Sequence, residues 1–191
     1  HLDLEPEEVD RVICGLPALL PADVACTSAS EAAPGFHARF SARSRTYRYR
    51  LIDHRSPLEG RFALEMPGVA LDTPAMREAC VPCTGRRDWR GMARTGGGNS
   101  TWTVDVAEAR VDRDPAGWTF TIRADRFLRG MVRIWAGTLV ETGRGRFGPG
   151  RLEEILSTGD RRLAGPSLPA RGLVLEDVSY DCGVLDGQAR S

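Results

Sequence analysis

Two long segments, Thr101 to Arg113 and Trp118 to Ala124, flank the tetrapeptide Asp114-Pro115-Ala116-Gly117. Its proline ring presets the backbone for a turn and its glycine accepts conformations barred to other residues, so the two segments read as the arms of a β-hairpin. In the second arm Trp118, Phe120, Ile122 and Ala124 alternate with Thr119, Thr121 and Arg123, the period of a strand with one buried face. A chain built on this hairpin needs apolar helices to cover that face.

The remaining elements supply them. Glu5 to Leu16 reads as a helix, with Pro6 tolerated in its first turn and Val9, Val12, Ile13 and Leu16 at helical spacing. A second helix opens at Thr73, as N-cap, and Pro74, and runs to about Cys83. A third covers Phe127 to Thr142, closed by Gly143. Its Leu128, Met131, Trp135 and Leu139 form one stripe, and Arg126, Gly130, Arg133 and Gly137 another. Glycines on that second stripe leave room for another backbone to approach closely. A short helix follows at Arg151 to Ser157, and Asp23 to Ala29 and Leu173 to Tyr180 read as strands. Arg94 to Ser100, rich in glycine, reads as a mobile loop. The resulting class is α+β, a mostly antiparallel mixed sheet with helices on one face.

Arg43 to Ile52 is a strand of a different kind. Arg43, Arg45, Tyr47, Tyr49 and Leu51 share one face; Ser44, Thr46, Arg48, Arg50 and Ile52 share the other. Arginine on both faces requires that at least one meet water, counter-charges or a polyanion.

Net charge is zero, from 26 basic and 26 acidic residues, so the sum indicates no partner. Its distribution does. Five acids and no Arg or Lys lie in residues 1 to 10, and acids outnumber arginines seven to four over 152 to 191. Phe36 to Phe62, by contrast, holds seven arginines against Asp53 and Glu59, and Arg123 to Arg151 holds seven against Asp125 and Glu141. Every basic residue is arginine, whose planar fork binds phosphate bidentately and stacks on bases. A sheet face bearing arginine and tyrosine is a known way to hold RNA. The competing reading has ordinary strand tyrosines and arginines that are solvated or paired with acids.

The five cysteines, Cys14, Cys26, Cys80, Cys83 and Cys182, are odd in number and scattered, which suits a reducing compartment such as the cytoplasm. Cys80-Val81-Pro82-Cys83 has metal-ligand spacing, but no second pair or nearby histidines complete a zinc site. The longest apolar runs fall well short of a membrane span.

Several segments in order, FHARFSARSRTYRYRL from Phe36, Ala124 to Arg133 (ADRFLRGMVR), Gly137 to Gly143, Asp160-Arg161 and Pro169 to Leu173, resemble the motifs of the TruA family of tRNA pseudouridine synthases. The resemblance runs from about His1 to Asp181. It implies a pseudouridine synthase fold with an RNA-binding cleft on the face away from the helices. Residues 1–35 would belong to the family's N-terminal domain and 36–185 to its C-terminal α/β domain, with 186–191 a tail. It also implies the reaction, in which the N-glycosidic bond of a uridine in the tRNA anticodon stem-loop is cut, the base turned over and rejoined through carbon. That requires no metal or redox cofactor. It does require the base to leave its stack.

Carried onto matching positions, the family pattern gives Tyr47 as the aromatic against the base, Leu128 as an apolar wall, and Arg133 as the cation paired with the catalytic carboxylate. Arg43, Arg45, Arg48, Arg126 and Arg129 are candidate phosphate contacts. The family's nucleophilic aspartate lies in a G-R-T-D motif that these 191 residues do not contain, so the chain is expected to be a fragment, inactive alone, with Arg133 exposed or paired with a substitute acid. Leu168 stands where the family usually has a small residue, and an arginine usual near Trp102 is missing. The resemblance further implies a homodimer and tRNA as partner, with no membrane association. A catalytically inactive RNA-binding module and a protein-interaction domain remain open alternatives.

Overall fold

The computed structural model describes residues 2–94, 96 and 101–181. Most of the expected glycine loop and the tail at 186–191 lie outside these residues. The chain divides into two compact units, His1–Arg43 with Ser179–Ser191, and Ser44–Val178.

In the first unit a 3-10 turn, Pro6–Glu8, leads into helix α1, Val9–Leu19. The helix overruns the expected end at Leu16 and carries Pro17 within it. Its apolar stripe is half-buried at most. The strand expected over Asp23 to Ala29 does not form. That stretch is almost wholly exposed, with a single bridge at Ala29, because its few small apolar residues bury too little surface to hold a strand in place, and even Val24 is half exposed. Farther along, Phe36 packs edge-on against Tyr180, with ring centroids 5.1 Å apart. The Tyr180 hydroxyl donates to the Ala38 carbonyl at 2.8 Å.

The second unit is built on the hairpin. Strands β1 (Ser44–Ile52), β2 (Leu64–Glu65), β3 (Gly85–Asp88), β4 (Thr103–Asp114), β5 (Gly117–Ala124) and β6 (Leu173–Ser179) form one sheet in the order β2-β1-β5-β4-β3, with β6 also paired to β1. The β1–β5, β4–β5 and β3–β4 ladders are antiparallel, and β1–β2 is parallel. The turn between β4 and β5 closes because Asp114 Oδ1 accepts from the backbone N–H of Ala116 at 2.8 Å and of Gly117 at 3.0 Å.

Register sorts the side chains. Tyr47 lies opposite Ile122, Tyr49 opposite Phe120 and Leu51 opposite Trp118, all on the face covered by helices α2 (Thr73–Cys80), α3 (Met131–Gly143) and α4 (Arg151–Thr158). Phe120 meets Trp135 of α3 edge-on, centroids 6.4 Å apart. Each such fully buried aromatic contributes roughly 2 to 3 kcal/mol of burial. On the opposite face stand Arg48, Arg50, Thr119, Thr121, Arg123 and Arg110. Arginine and tyrosine therefore do not share an open face, as the alternation had suggested; the tyrosines point under the helices.

Several element boundaries also differ from the sequence reading. Asp72, not Thr73, caps α2 by accepting from Ala75 N–H at 2.9 Å, and the Thr73 hydroxyl instead accepts from the Trp118 indole at 2.9 Å. Helix α3 starts at Met131 rather than Phe127. Gly130 is left-handed, with φ 77°, and a Cβ there would meet the Arg94 side chain at 2.7 Å. Arg126 to Arg129 thus form a loop, and Arg126 is not on the helix stripe of Gly130, Arg133 and Gly137. At the other end the helix includes Gly143, and Arg144 caps it.

Cys80 and Cys83 are buried at the end of α2 and as free thiols. Burial pushes both thiols up, Cys83 to about 12. Among the described residues no three metal-binding side chains come together, and no helix is long and apolar enough to cross a membrane.

Candidate active site

The loop from Asp125 to Gly130 is tied down before it reaches α3. Asp125 Oδ1 accepts from Asp105 N–H at 2.9 Å, Asp125 N–H donates to Asp105 O at 3.1 Å, and Arg45 donates to the Asp125 carbonyl at 2.7 Å. Arg45 therefore positions this loop. Phe127, the next apolar residue, meets the Tyr47 ring edge-on with centroids 4.8 Å apart, and Leu128 is buried beneath. Arg94 N–H donates to the Arg129 carbonyl at 2.8 Å, bringing a further arginine to the same loop.

Arg133 projects from the first turn of α3 and is half-buried. Its Nε donates to the Leu168 carbonyl at 2.5 Å, while Leu168 N–H donates to the Arg133 carbonyl at 3.2 Å. The segment carrying Leu168 lies against the helix because Gly137 has no side chain: a Cβ there would sit 3.0 Å from the Pro166 carbonyl carbon and closer still to its oxygen. Gly165 is pressed against Thr138 in the same way, and its N–H donates to the Thr138 hydroxyl at 2.9 Å. The close backbone approach expected at the glycine stripe is this one.

Tyr49, two residues along β1 from Tyr47, is buried, and its hydroxyl donates to the Pro169 carbonyl at 2.8 Å. Burial pushes the phenol up to about 12, although the nearby charges of Arg133 and Arg171 pull the other way. Tyr47, Tyr49, Phe127, Leu128 and Arg133 thus occupy one layer between β1 and α3.

The arginines separate into two populations. Arg48 pairs with Glu176 at 3.1 Å and Arg50 with Asp114 at 2.6 Å. Arg123 reaches Glu108 at 3.8 Å, and Arg110 binds both Glu108 and Asp112. These charges on the open face are neutralised by neighbours. The cleft of about 490 Å³ there, bordered by Arg48, Arg50, Phe62 and Asp114, offers an anion little uncompensated charge. Arg43, in the first unit, is bound to Asp181. Around the loop before α3 the situation reverses. Among the described residues no carboxylate lies within ion-pairing distance of Arg94, Arg126, Arg129, Arg133 or Arg171. Arg133 is accordingly neither fully exposed nor paired with a substitute acid; it is half-buried on a carbonyl.

The family model for tRNA pseudouridine synthase matches residues 79–181, the segment that carries Arg94, the loop, Arg133 and the Leu168 turn. A tRNA pseudouridine synthase A from Thermus thermophilus is 40% identical over 185 residues, covering 94% of this chain and 73% of that protein. Its counterpart from Parabacteroides distasonis is 37% identical over 182 residues, covering 94% and 72%, and that from Moorella thermoacetica 39% over 176 residues, covering 90% and 70%.

The chain belongs to the tRNA pseudouridine synthase family. The α+β architecture with a mixed sheet agrees with the pseudouridine synthase fold that the motifs implied. Of the family residues read from sequence, Tyr47, Leu128 and Arg133 fall in one layer, Arg126 and Arg129 border it, and Arg45 braces it. Arg48 is on the opposite face. Phe127, Arg94 and Arg171 were not singled out. Phe127 and Arg171 lie inside the motif segments without a role attached to them, and Arg94 carries no pattern beyond its charge.

Proposed function

We propose that the layer between β1 and α3 binds a flipped uridine from the anticodon stem-loop of tRNA and isomerises it to pseudouridine, in the cytoplasm and as a homodimer. The observation that carries this reading is Arg133, a half-buried guanidinium held by one edge on a backbone carbonyl, just after the loop whose Phe127 meets the Tyr47 ring edge-on. With Nε committed to Leu168, the Nη groups are the ones turned to a partner. A carboxylate brought there is kept ionised by the adjacent positive charge in a site partly shielded from water, as a nucleophile or base must be. Tyr47, braced edge-on by Phe127, packs against the extruded base, and Leu128 closes the apolar side. Arg126 and Arg129, with Arg94 and Arg171, take the phosphates, because among the described residues no acid is ion-paired with them.

The reading is tested in the protein supplied with the family's aspartate-bearing G-R-T-D segment, by tritium release from tRNA labelled at carbon 5 of its uridines. Turnover is expected to fall by about a thousandfold or more in Arg133→Ala, with tRNA affinity changed by about threefold or less, since a group acting on the reacting carboxylate contributes to the transition state rather than to uniform binding. Equal loss of affinity and turnover would make Arg133 an ordinary phosphate contact.

A further inference from the structure

Strand β1 carries two tyrosines, Tyr47 and Tyr49, and the proposed reaction uses only the first. The second, Tyr49, is fully buried on the same strand face, yet it retains a hydroxyl that a phenylalanine would not bring into the core. Its hydroxyl donates to Pro169 O at 2.8 Å. The adjoining carbonyl, Leu168 O, receives Arg133 Nε at 2.5 Å. Three residues farther on, Gly172 is clamped over the same ring, where a Cβ would lie 2.9 Å from Tyr49 Cζ and 2.7 Å from Arg50 O. At the other end the segment is fixed to α3 through Gly165 and Thr138. One short backbone segment thus joins strand β1 to the guanidinium. It is fastened at Thr138, at Arg133 and at Tyr49, and only the last of these fastenings comes from the sheet.

We propose that Tyr49 is a positioning residue for Arg133: its hydroxyl fixes the Leu168–Pro169 backbone so that the Leu168 carbonyl stays on Nε and the Nη edge of the guanidinium is aimed at the reacting carboxylate. Tyr49 touches neither base nor carboxylate. Its contribution passes through two consecutive carbonyls, and it gives the strand that carries Tyr47 a direct hold on the cation opposite. The catalytic consequence rests on the function proposed above; the mechanical link does not.

Tyr49→Phe keeps the ring and removes only the hydroxyl. The primary readout is solvent exchange of the Arg133 Nε proton, followed by NMR and assigned by its loss in Arg133→Lys. The control is Thr73→Val, which removes the buried bond from the Trp118 indole in the same core without touching the 165–172 segment. Exchange is expected to accelerate by about tenfold in Tyr49→Phe, the factor one hydrogen bond is worth, and to stay within about twofold of wild type in Thr73→Val. Turnover on tRNA is expected to fall by about tenfold in Tyr49→Phe with tRNA affinity unchanged. Unaltered Nε exchange in Tyr49→Phe overturns the proposal, and so does equal acceleration in Thr73→Val, which would mark general loosening of the core. Should exchange respond as expected while the protein supplied with the aspartate-bearing segment, Tyr49 intact, releases no tritium from tRNA, the positioning link stands and the proposed reaction fails.

Discussion

Replacing Gly137 by alanine sets two effects of opposite sign against each other. Glycine inside a helix is about 1 kcal/mol worse than alanine, so on α3 alone the substitution is stabilising. The surroundings decide otherwise. The new Cβ would be 3.0 Å from the Pro166 carbonyl carbon, nearer its oxygen, and 3.5 Å from Leu168 Cγ, and a carbonyl held in a hydrogen-bonded segment cannot swing aside as a side-chain end does. Restoring ordinary contact needs a retreat on the order of 1 Å, and overpacking of this kind costs about 1 to 3 kcal/mol. The same retreat stretches the bonds from Gly165 N–H to Thr138 Oγ1 (2.9 Å) and from Leu168 N–H to Arg133 O (3.2 Å), and weakening two bonds of about 1 kcal/mol each without breaking them costs about 1 kcal/mol together. After subtraction of the helix gain, a net destabilisation of about 2 kcal/mol remains. Urea unfolding should show it as a midpoint lowered by about 1 M with an unchanged slope. A midpoint equal to or above that of wild type would refute the tight apposition of this segment on α3, and with it the geometric basis for placing Arg133.

The remaining predictions concern charge. Arg126→Ala and Arg129→Ala should each weaken tRNA binding and lower the slope of log affinity against log salt by about one, whereas Arg48→Ala, whose charge Glu176 already neutralises, should leave the slope unchanged; equal effects from all three would end the distinction between paired and unpaired arginines. Burial pushes the Glu141 carboxyl up, but Arg146 and Arg144, each bonded to it at 2.8 Å, more than reverse this and hold it below the ordinary value of 4.5. A depressed carboxylate stabilises the fold above its unfolded pKa and loses that contribution as pH falls through the folded one. Glu141→Gln should therefore be about 1 to 3 kcal/mol less stable at neutral pH, with the two proteins converging below about pH 4 in urea midpoints taken across pH. A constant difference down to pH 2 would show that the ion pairs are not its source.

What could be read from sequence was what neighbours in sequence decide. The hairpin was legible because Asp114 to Gly117 make their own turn and the alternation beside it is local. Helix α3 was legible in its stripe and misread at its start, since Leu128, Met131 and Trp135 keep helical spacing across a glycine that is left-handed; a turn at Gly130 is chosen by the packing of Arg94 against it, which spacing does not encode. Strands β2 and β3 left no trace. Gly85-Arg86-Arg87-Asp88 has no apolar pattern and is strand only because β4 pairs with it.

The same limit governs the arginines, and there it bears on function. Counting them along the chain gave two basic blocks and a sheet face suited to RNA. Whether an arginine is available to a phosphate depends instead on which acid its register brings alongside, and these are distant in sequence: Arg50 and Asp114 are 64 residues apart and meet at 2.6 Å. Strand pairing neutralises Arg48 and Arg50 in the first block, while among the described residues the fold brings no acid into ion-pairing distance of Arg126, Arg129 and Arg133 in the second. The strand arginines of the open face are thus paired with acids, and the proposed RNA contact moves to the loop before α3. A polyanion is drawn to charge that the fold has not already spent on itself, so the candidate interface is the border of the Tyr47–Arg133 layer rather than the face with the most arginine.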